Sequence, residues 1–229
     1  AVGIPVRVPL QLPDYSIDWN RVADSLTSRT RLIIINTPHN PCGVTLAPSD
    51  LDALAELIKD TGILVLSDEV YEHMVFDGEQ HLSVLSHPLL CIARPALSEE
   101  FRKIHQFVTF TTTSFLQYAI ADFMQECPEH ANELPAFYQA KRDYFCTLLQ
   151  DSRFRFSPSN GTYFQLVDYS AISSKDDMAF VTELTQERGV AAIPLAPFYR
   201  ETPDTRIIRL CFCKDDSTLE RAAEILCAL

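Results

Sequence analysis

The 229-residue sequence lacks an excess of cationic side chains and lacks any long apolar segment. Its formal net charge of −12 argues against nucleic-acid partners and anionic membrane surfaces, because both need a basic patch on the protein. The longest apolar run, Ile33–Ile35 with its flanks, has the length of a strand and not of a membrane span. No signal-peptide pattern is visible, and the chain begins without Met, so we expect residue 1 to be a cut end.

Cysteine pairs of the C-x-x-C type are also absent. The seven cysteines are an odd number, and in a chain of this size they indicate reduced thiols and a cytoplasmic protein. Cys211 and Cys213 would point to one face of a strand, yet no His stands at a matching ligand spacing. We therefore expect two buried thiols here and no metal.

Three common catalytic motifs are missing as well. None of the six glycines belongs to the G-x-x-x-x-G-K-[ST] loop that a nucleotide-hydrolysing enzyme needs for its phosphates. The sequence has no G-x-S-x-G elbow of a hydrolase and no H-E-x-x-H of a metalloenzyme. These absences exclude the best-marked members of three enzyme classes.

Strand and helix patterns alternate in the first half. The β-branched run Arg31–Ile35 predicts a strand that is buried on both faces of a parallel sheet. Ser49-x-x-Asp52 predicts the cap of a helix that ends near Gly62, and a second buried strand follows at Ile63–Leu66. The order strand, helix, strand predicts a right-handed βαβ unit.

The sequence patterns change in the second half, where strands no longer alternate regularly with helices. The patterns predict helices from Ser98 and over Pro135–Leu149, a hairpin turn at Ser159–Gly161, a helix that ends at Gly189, strands at Val190–Ile193 and Arg206–Cys213, and a final helix capped by Ser217-x-x-Glu220. The fold class is therefore α/β. We expect a large domain with part of a mainly parallel sheet over residues 1–134, followed by a connecting helix and a smaller α+β domain over residues 135–229.

Two polar clusters follow the predicted parallel strands, where ligands bind in open α/β sheets. One is the loop that contains Asn40, and the other is Asp68 with Tyr71. A carboxylate at the end of a buried strand is costly unless it is paired, and a protonated heterocyclic nitrogen would be a suitable partner. The alternative, in which Asp68 only caps a turn, stays open at this point.

Taken together, the segments resemble the fold-type-I aminotransferases of class I and II, nearest to those that act on methionine, aromatic amino acids or kynurenine. The resemblance spans the chain in family order. It is carried by Asn36-Thr37-Pro38-His39-Asn40-Pro41-Cys42-Gly43, Leu66-Ser67-Asp68-Glu69-Val70-Tyr71, Phe101-Arg102-Lys103-Ile104-His105-Gln106-Phe107, Gly161-Thr162-Tyr163-Phe164 and Ile208-Arg209-Leu210-Cys211-Phe212.

The resemblance implies a role for each of five residues. Asp68 would keep the pyridine nitrogen of pyridoxal 5′-phosphate protonated, and Asn40 and Tyr71 would hydrogen-bond its phenolic oxygen. Arg209 would bind the substrate α-carboxylate through two parallel bonds, although a solvated arginine at a strand end is the alternative. Tyr163 would line the substrate pocket or belong to the core. The first domain would then be the cofactor domain.

The sequence departs from the family pattern in four places, and one of them is the apparent lack of the family's N-terminal part, which carries Gly-rich phosphate contacts. Cys42 stands where the family usually has Thr, and Thr112–Leu116 replaces an Asn-Thr-Pro pattern. The segment with the Schiff-base lysine is absent, since it belongs between Leu90 and Cys91, which are consecutive here. Two explanations stay open: the sequence omits residues of a longer enzyme, or the protein is a deleted, inactive relative.

The resemblance also implies a function. It predicts transamination of a methionine-type or aromatic amino acid with a 2-oxo acid, in a homodimer without metal. A β-lyase acting on cysteine conjugates would use the same residues. A non-catalytic aminotransferase remnant is the alternative if the junction between Leu90 and Cys91 is real.

Overall fold

A computed structural model describes residues 3–86 and 95–229. Its helices and strands are, in chain order, α1 (Trp19–Ser25), β1 (Leu32–Asn36), α2 (Pro48–Ile58), β2 (Leu64–Asp68), α3 (Pro95–Val108), α4 (Ser114–Glu126), α5 (His130–Leu149), β3 (Phe164–Asp168), α6 (Asp177–Arg188), β4 (Ile193–Pro194), β5 (Ile207–Cys211) and α7 (Asp216–Cys227). Within these two ranges, no helix is long and apolar enough to cross a bilayer. The junction between Leu90 and Cys91 lies outside the described residues.

The predicted order of strand, helix and parallel strand is confirmed, and the right-handed crossover stays a prediction. Strands β1 and β2 pair in parallel, with Asn36 opposite Asp68 at their carboxyl ends. Helix α2 buries the apolar side predicted for it, including Leu51 and Leu54. The predicted cap at Ser49 is wrong, because the helix begins one residue earlier and the backbone N–H of Ala47 donates to Asp50 Oδ2 at 2.8 Å.

The prediction that both faces of these strands are buried is wrong. Side chains on one face pack against the cluster around α2, whereas those on the other face are 44–67% exposed (Leu32, Ile34, Leu64 and Leu66). Helix α2 covers only one face, and the other stays open in the described part of the chain. The sequence signal was a continuous apolar run, which records that both faces are apolar but not what covers them.

Helices α3 and α4 bury none of their side chains among the described residues. Helix α3 begins at Pro95, three residues before the predicted start at Ser98. Its predicted apolar stripe exists but is exposed, with Phe101 at 68% and Val108 at 77%. Helix α4 was missed in the sequence analysis.

The second half forms an antiparallel sheet in the order β3-β5-β4, against which α6 packs, while α5 packs against α7. Helix α6 ends before Gly189 as predicted, and this glycine adopts the left-handed conformation with φ of +75°. The other boundaries differ from the predictions. Helix α5 starts at His130 and contains Pro135, β4 starts only at Ile193, and the residue before α7 is Asp215 and not Ser217.

The predicted hairpin turn at Ser159–Gly161 is wrong as a tight turn. Arg155 and Asp168 form a single antiparallel bridge, and Gly161 bridges to Val75 instead. Strand β3 takes β5 as its partner, so the residues between 155 and 164 form a longer loop. The backbone pairing of Gly161 with a distant segment replaced the local turn that its sequence favours.

The buried apolar side chains form two clusters. The smaller one surrounds α2 and includes Leu54 and Val84. The larger one lies in the second half around Tyr169 and Phe212, and it also includes Phe76, which follows β2. The segment after β2 therefore crosses to the second cluster. The predicted division at residues 134 and 135 stays a prediction.

Candidate active site

The loop after β1 is tied to the end of β2 by side-chain bonds. Asn36 Nδ2 donates to the carbonyl of Asp68 at 2.9 Å, and the backbone N–H of Asn40 donates to Asn36 Oδ1 at 2.8 Å. The N–H of Thr37 also donates to the carbonyl of Asp68 at 3.0 Å. Asn40 is therefore held at a fixed position beyond the carboxyl ends of both strands.

Two glycines allow the same loop to pack closely against the second half of the chain. The N–H of Gly161 donates to the carbonyl of Gly43 at 2.9 Å. A Cβ on Gly43 would lie 2.8 Å from Ser159 Cβ, and a Cβ on Gly161 would lie 2.6 Å from the carbonyl oxygen of Met74. Both contacts need backbones to approach more closely than a side chain allows, which explains glycine at these positions.

Arg209 on β5 reaches this loop from the other side. Its Nη1 donates to Asn40 Oδ1 at 2.5 Å. The guanidinium carbon lies 3.9 Å from the ring centroid of Phe164 and 5.9 Å from that of Phe198. Burial lowers the pKa of Arg209 from its ordinary value, and nearby Tyr71 opposes that change. The aromatic rings therefore hold a partly desolvated guanidinium in place.

Tyr71 and Tyr163 complete the aromatic side of the site. Their rings meet edge to face with centroids 5.3 Å apart, and Tyr163 meets Phe164 at 4.5 Å. Burial raises the pKa of Tyr71 to about 12, and a hydrogen bond with Tyr163 contributes in the same direction. Asp68 also raises this pKa and Arg209 lowers it. Tyr71 is therefore a neutral hydroxyl that can donate a hydrogen bond at physiological pH.

Asp68 is exposed, contrary to the expectation of a buried carboxylate that needs a partner. Its Oδ1 accepts a 3.3 Å bond from the N–H of Val70, so it does cap the following turn. The open sheet face leaves it accessible. A carboxylate in this position can still accept a hydrogen bond from a ligand, because an ionised carboxylate offers about four acceptor sites.

The residue after Asp68 anchors the segment that follows. Glu69 accepts bonds from Ser67 Oγ at 2.7 Å and from the N–H of Val84 at 3.2 Å, and its Oε2 lies 2.9 Å from His81 Nε2. The potential metal-ligand atoms of Glu69, Glu72 and His81 all lie within 4.8 Å of one another. These bonds occupy the Glu69 carboxylate. We therefore interpret it as a structural group that fixes the segment around residues 81–84 to the end of β2.

The two cysteines of β5 and its extension are half-buried and not fully buried as expected. Cys213 Sγ lies 3.3 Å from the hydroxyl of Tyr138. The ring of Tyr138 lies 6.1 Å from that of Tyr163. Tyr138 therefore lies between Cys213 and the Tyr163 ring of the site.

The structure thus brings together all five residues singled out in the sequence. Asn40 bonds to Arg209, Tyr71 contacts Tyr163, and the carbonyl of Asp68 is linked to Asn40 through Asn36. Five further residues of the site were not singled out from the sequence: Asn36, Phe164, Phe198, Gly43 and Gly161. Four of these lie in or directly beside the quoted motifs, whereas nothing in the sequence pointed to Phe198.

The five lysines lie elsewhere, and all of them are among the described residues. Four of them form ion pairs: Lys59 with Glu56, Lys103 with Glu99 and Glu100, Lys141 with Asp216, and Lys175 with Glu183. Lys214 is exposed and follows β5. The carbonyl of Lys214 accepts a bond from Lys141, which places both lysines near Asp216. None of the five bonds to a residue of the site.

Comparison with known proteins places this geometry in a family. The profile of the class I and II aminotransferases matches residues 2–92 and 85–226. The methionine aminotransferase of Escherichia coli strain K12 is 44% identical over 98% of this chain, which covers 64% of that protein. Mouse kynurenine–oxoglutarate transaminase 1 is 27% identical over 100% of this chain, which covers 67% of it.

A solved structure of an Escherichia coli protein with a methionine aminotransferase function superimposes with a TM-score of 0.90. The two are 44% identical, and the match covers 96% of this chain and 64% of that one. The chain therefore spans just under two thirds of the length of these two Escherichia coli relatives. With the family profile matched over most of the sequence, the chain belongs to the class I and II aminotransferases.

Proposed function

We propose that the protein takes part in pyridoxal-phosphate-dependent transamination of a methionine-type or aromatic amino acid with a 2-oxo acid. The family depends on this cofactor. The observation that carries the proposal is the bond between Arg209 and Asn40, because it joins a carboxylate-binding group to the loop beside Asp68. The methionine and kynurenine relatives support the choice of substrate class.

The residues that would contact the cofactor ring fit it in three respects. Asp68 offers an exposed carboxylate for a protonated pyridine nitrogen. The neutral hydroxyl of Tyr71 can donate to a phenolic oxygen. Asn40 uses its Oδ1 for Arg209, which leaves its Nδ2 without a bond to another described residue and able to donate. When bound, the cofactor supplies an electron sink for the α-carbon of the amino acid.

Arg209 would bind and orient the amino acid. Its planar guanidinium can form two parallel bonds to a carboxylate, and its stacking on Phe164 limits the rotation of the side chain. Tyr163 and Phe198 would border the substrate side chain, which agrees with an apolar amino acid. A substrate carboxylate would compete with Asn40 for one guanidinium N–H.

The fit fails at one point, because none of the five lysines bonds to a residue of the site. This observation favours a second candidate function, which is binding of cofactor and amino acid without catalysis.

A β-lyase acting on cysteine conjugates would use the same contacts. It is distinguished by its products, which are pyruvate and ammonia. We also propose a homodimer, which the exposed apolar side chains of α3 and α4 support. The proposed cytoplasmic location is supported by the odd number of cysteines.

The test is amino-group transfer from methionine, phenylalanine or kynurenine to 2-oxoglutarate, compared with free cofactor at the same concentration. We expect the protein to exceed the rate of free cofactor and Arg209→Lys to raise KM by about tenfold, since the bidentate bond is lost. Arg188→Lys, on the exposed end of α6, is the matched control. Cofactor binding with no rate above that of free cofactor would select the non-catalytic alternative. Release of pyruvate and ammonia from a cysteine conjugate would select the lyase.

A further inference from the structure

The positions of the five lysines do not match the cofactor site that Asp68, Tyr71 and Asn40 suggest. Asp68, Tyr71 and Asn40 form one half of a cofactor site, yet no amine lies among their contacts in the described residues. A lysine Nζ can bond covalently to the aldehyde carbon of pyridoxal phosphate only if it lies beside that carbon. Four of the lysines pair with carboxylates outside the site, and the fifth, Lys214, is exposed and follows β5.

The comparisons support a real gap and not a displaced lysine. The family profile matches in two separate stretches that overlap at residues 85–92, and the lysine segment was expected within that overlap. The alignment with the methionine aminotransferase extends over 247 positions, more than the 229 residues of the chain, so that relative has residues with no counterpart here. The only residues outside the described ranges are 1–2 and 87–94, and neither range contains a lysine.

We propose that this chain binds pyridoxal phosphate reversibly and without a covalent bond, so that the aldehyde and amine forms of the cofactor bind equally well. The proposal rests on the proposed function, since it assumes that Asp68, Tyr71 and Asn40 contact the ring. A lysine would stabilise only the aldehyde form, because condensation of an amine with an aldehyde forms a C=N bond and releases water. Contacts to the ring nitrogen and the phenolic oxygen are the same for both forms.

Exchange of the cofactor follows from the same argument. Without a covalent bond, the cofactor leaves at a rate that noncovalent contacts alone determine. The cofactor would then behave as a dissociable ligand that is lost on dilution. In such a site the amino acid would meet the free aldehyde directly, with no protein amine to displace.

The first measurement is calorimetric titration of the whole chain with pyridoxal phosphate and, separately, with pyridoxamine phosphate. We expect the two dissociation constants to agree within about threefold, since equal contacts give equal free energies. Asp68→Asn should weaken both by about tenfold through loss of the charge-assisted bond, and the matched control Asp122→Asn on the exposed surface of α4 should change neither.

The second measurement is borohydride reduction in the presence of pyridoxal phosphate, followed by peptide mass mapping. We expect each lysine to be modified only to the level found for the unfolded chain in urea. Stoichiometric modification of one lysine in the folded chain, abolished by Asp68→Asn, would overturn the inference and leave the proposed function standing. A dissociation constant for the aldehyde form at least tenfold below that for the amine form would also overturn it. Binding of neither form would reject the cofactor site itself, and with it the proposed function.

Discussion

Asn40 and Arg209 are 169 residues apart in the sequence, and their side chains bond directly, Nη1 to Oδ1. The bond joins the loop after β1 to the middle of β5 and thus the two halves of the chain. It also leaves the remaining N–H groups of a half-buried guanidinium for a ligand.

Asn40→Asp should weaken binding of an amino-acid carboxylate. A carboxylate at residue 40 would form an ion pair with Arg209 and oppose a second anion beside it. We expect the dissociation constant of methionine, measured by calorimetry with cofactor present, to rise by about tenfold. The matched control is Asn132→Asp on the exposed surface of α5, and equal affinities for the two variants would contradict the assigned role.

Gly43→Ala should destabilise the fold much more than Gly62→Ala. Both glycines have φ of +72°, so both alanines carry the cost of the left-handed conformation, about 1 kcal/mol. A Cβ at residue 62 meets nothing within 4 Å, whereas one at residue 43 meets Ser159 Cβ at 2.8 Å and the Gly161 carbonyl at 2.9 Å. Urea unfolding should give a loss of about 3 kcal/mol for Gly43→Ala. Similar losses for the two variants would show that the close approach contributes nothing.

Arg142→Met should lower the free energy of unfolding by about 2 to 4 kcal/mol. Arg142 is only 3% exposed, its Nη1 and Nη2 each donate to Asp77 at 2.7 Å, and Nη1 also donates to the carbonyl of Ser159 at 2.8 Å. Methionine keeps much of the packing on Phe76 and removes these bonds. Arg221→Met, on the exposed side of α7, should cost less than about 0.5 kcal/mol. Comparable losses for both would indicate that the buried arginine is not a structural link.

Cys42 and Cys146 should react slowly with iodoacetamide at pH 8. Burial raises the pKa of Cys42 to about 12 and that of Cys146 to about 11, so the reactive thiolate is scarce at this pH. Cys127, after α4, is exposed. Peptide mass mapping should show Cys127 labelled at least about tenfold faster than the other two. Unfolding in urea should remove the difference, and equally fast labelling of Cys42 in the folded chain would contradict its burial.

His39 should make the fold less stable at acidic pH. Burial lowers the pKa of His39, whose Nδ1 is buried without a partner in the described part of the chain. The unfolded chain then binds more protons than the folded chain below the ordinary histidine value, so stability is present above about pH 6.5 and falls as the pH drops toward the folded-state pKa. The free energy of unfolding should decrease between pH 7.5 and 5.5, and less steeply in His39→Gln. His73→Gln, at an exposed site, should keep the slope of the parent, and an unchanged slope in His39→Gln would refute the prediction.

The sequence alone determined the order and type of most elements. Apolar periodicity and turn residues are local signals, which is why β1, α2, β2, α6 and β5 lie where the patterns indicated. The candidate residues Asn40, Asp68 and Arg209 were also identified, because they stand in motifs whose family order is itself a sequence property. That none of the five lysines stands in the segment where the family has its Schiff-base lysine was likewise a prediction from the resemblance.

Only the tertiary structure decided which groups meet and which faces are covered. The bond between Asn40 and Arg209, the stacking of Arg209 on Phe164, and the approach of Gly43 to Gly161 all join segments more than 40 residues apart. The exposure of Asp68 likewise depends on what covers the sheet and not on the residues of β2. A local pattern records what a side chain prefers, whereas burial and contact depend on the path of the rest of the chain.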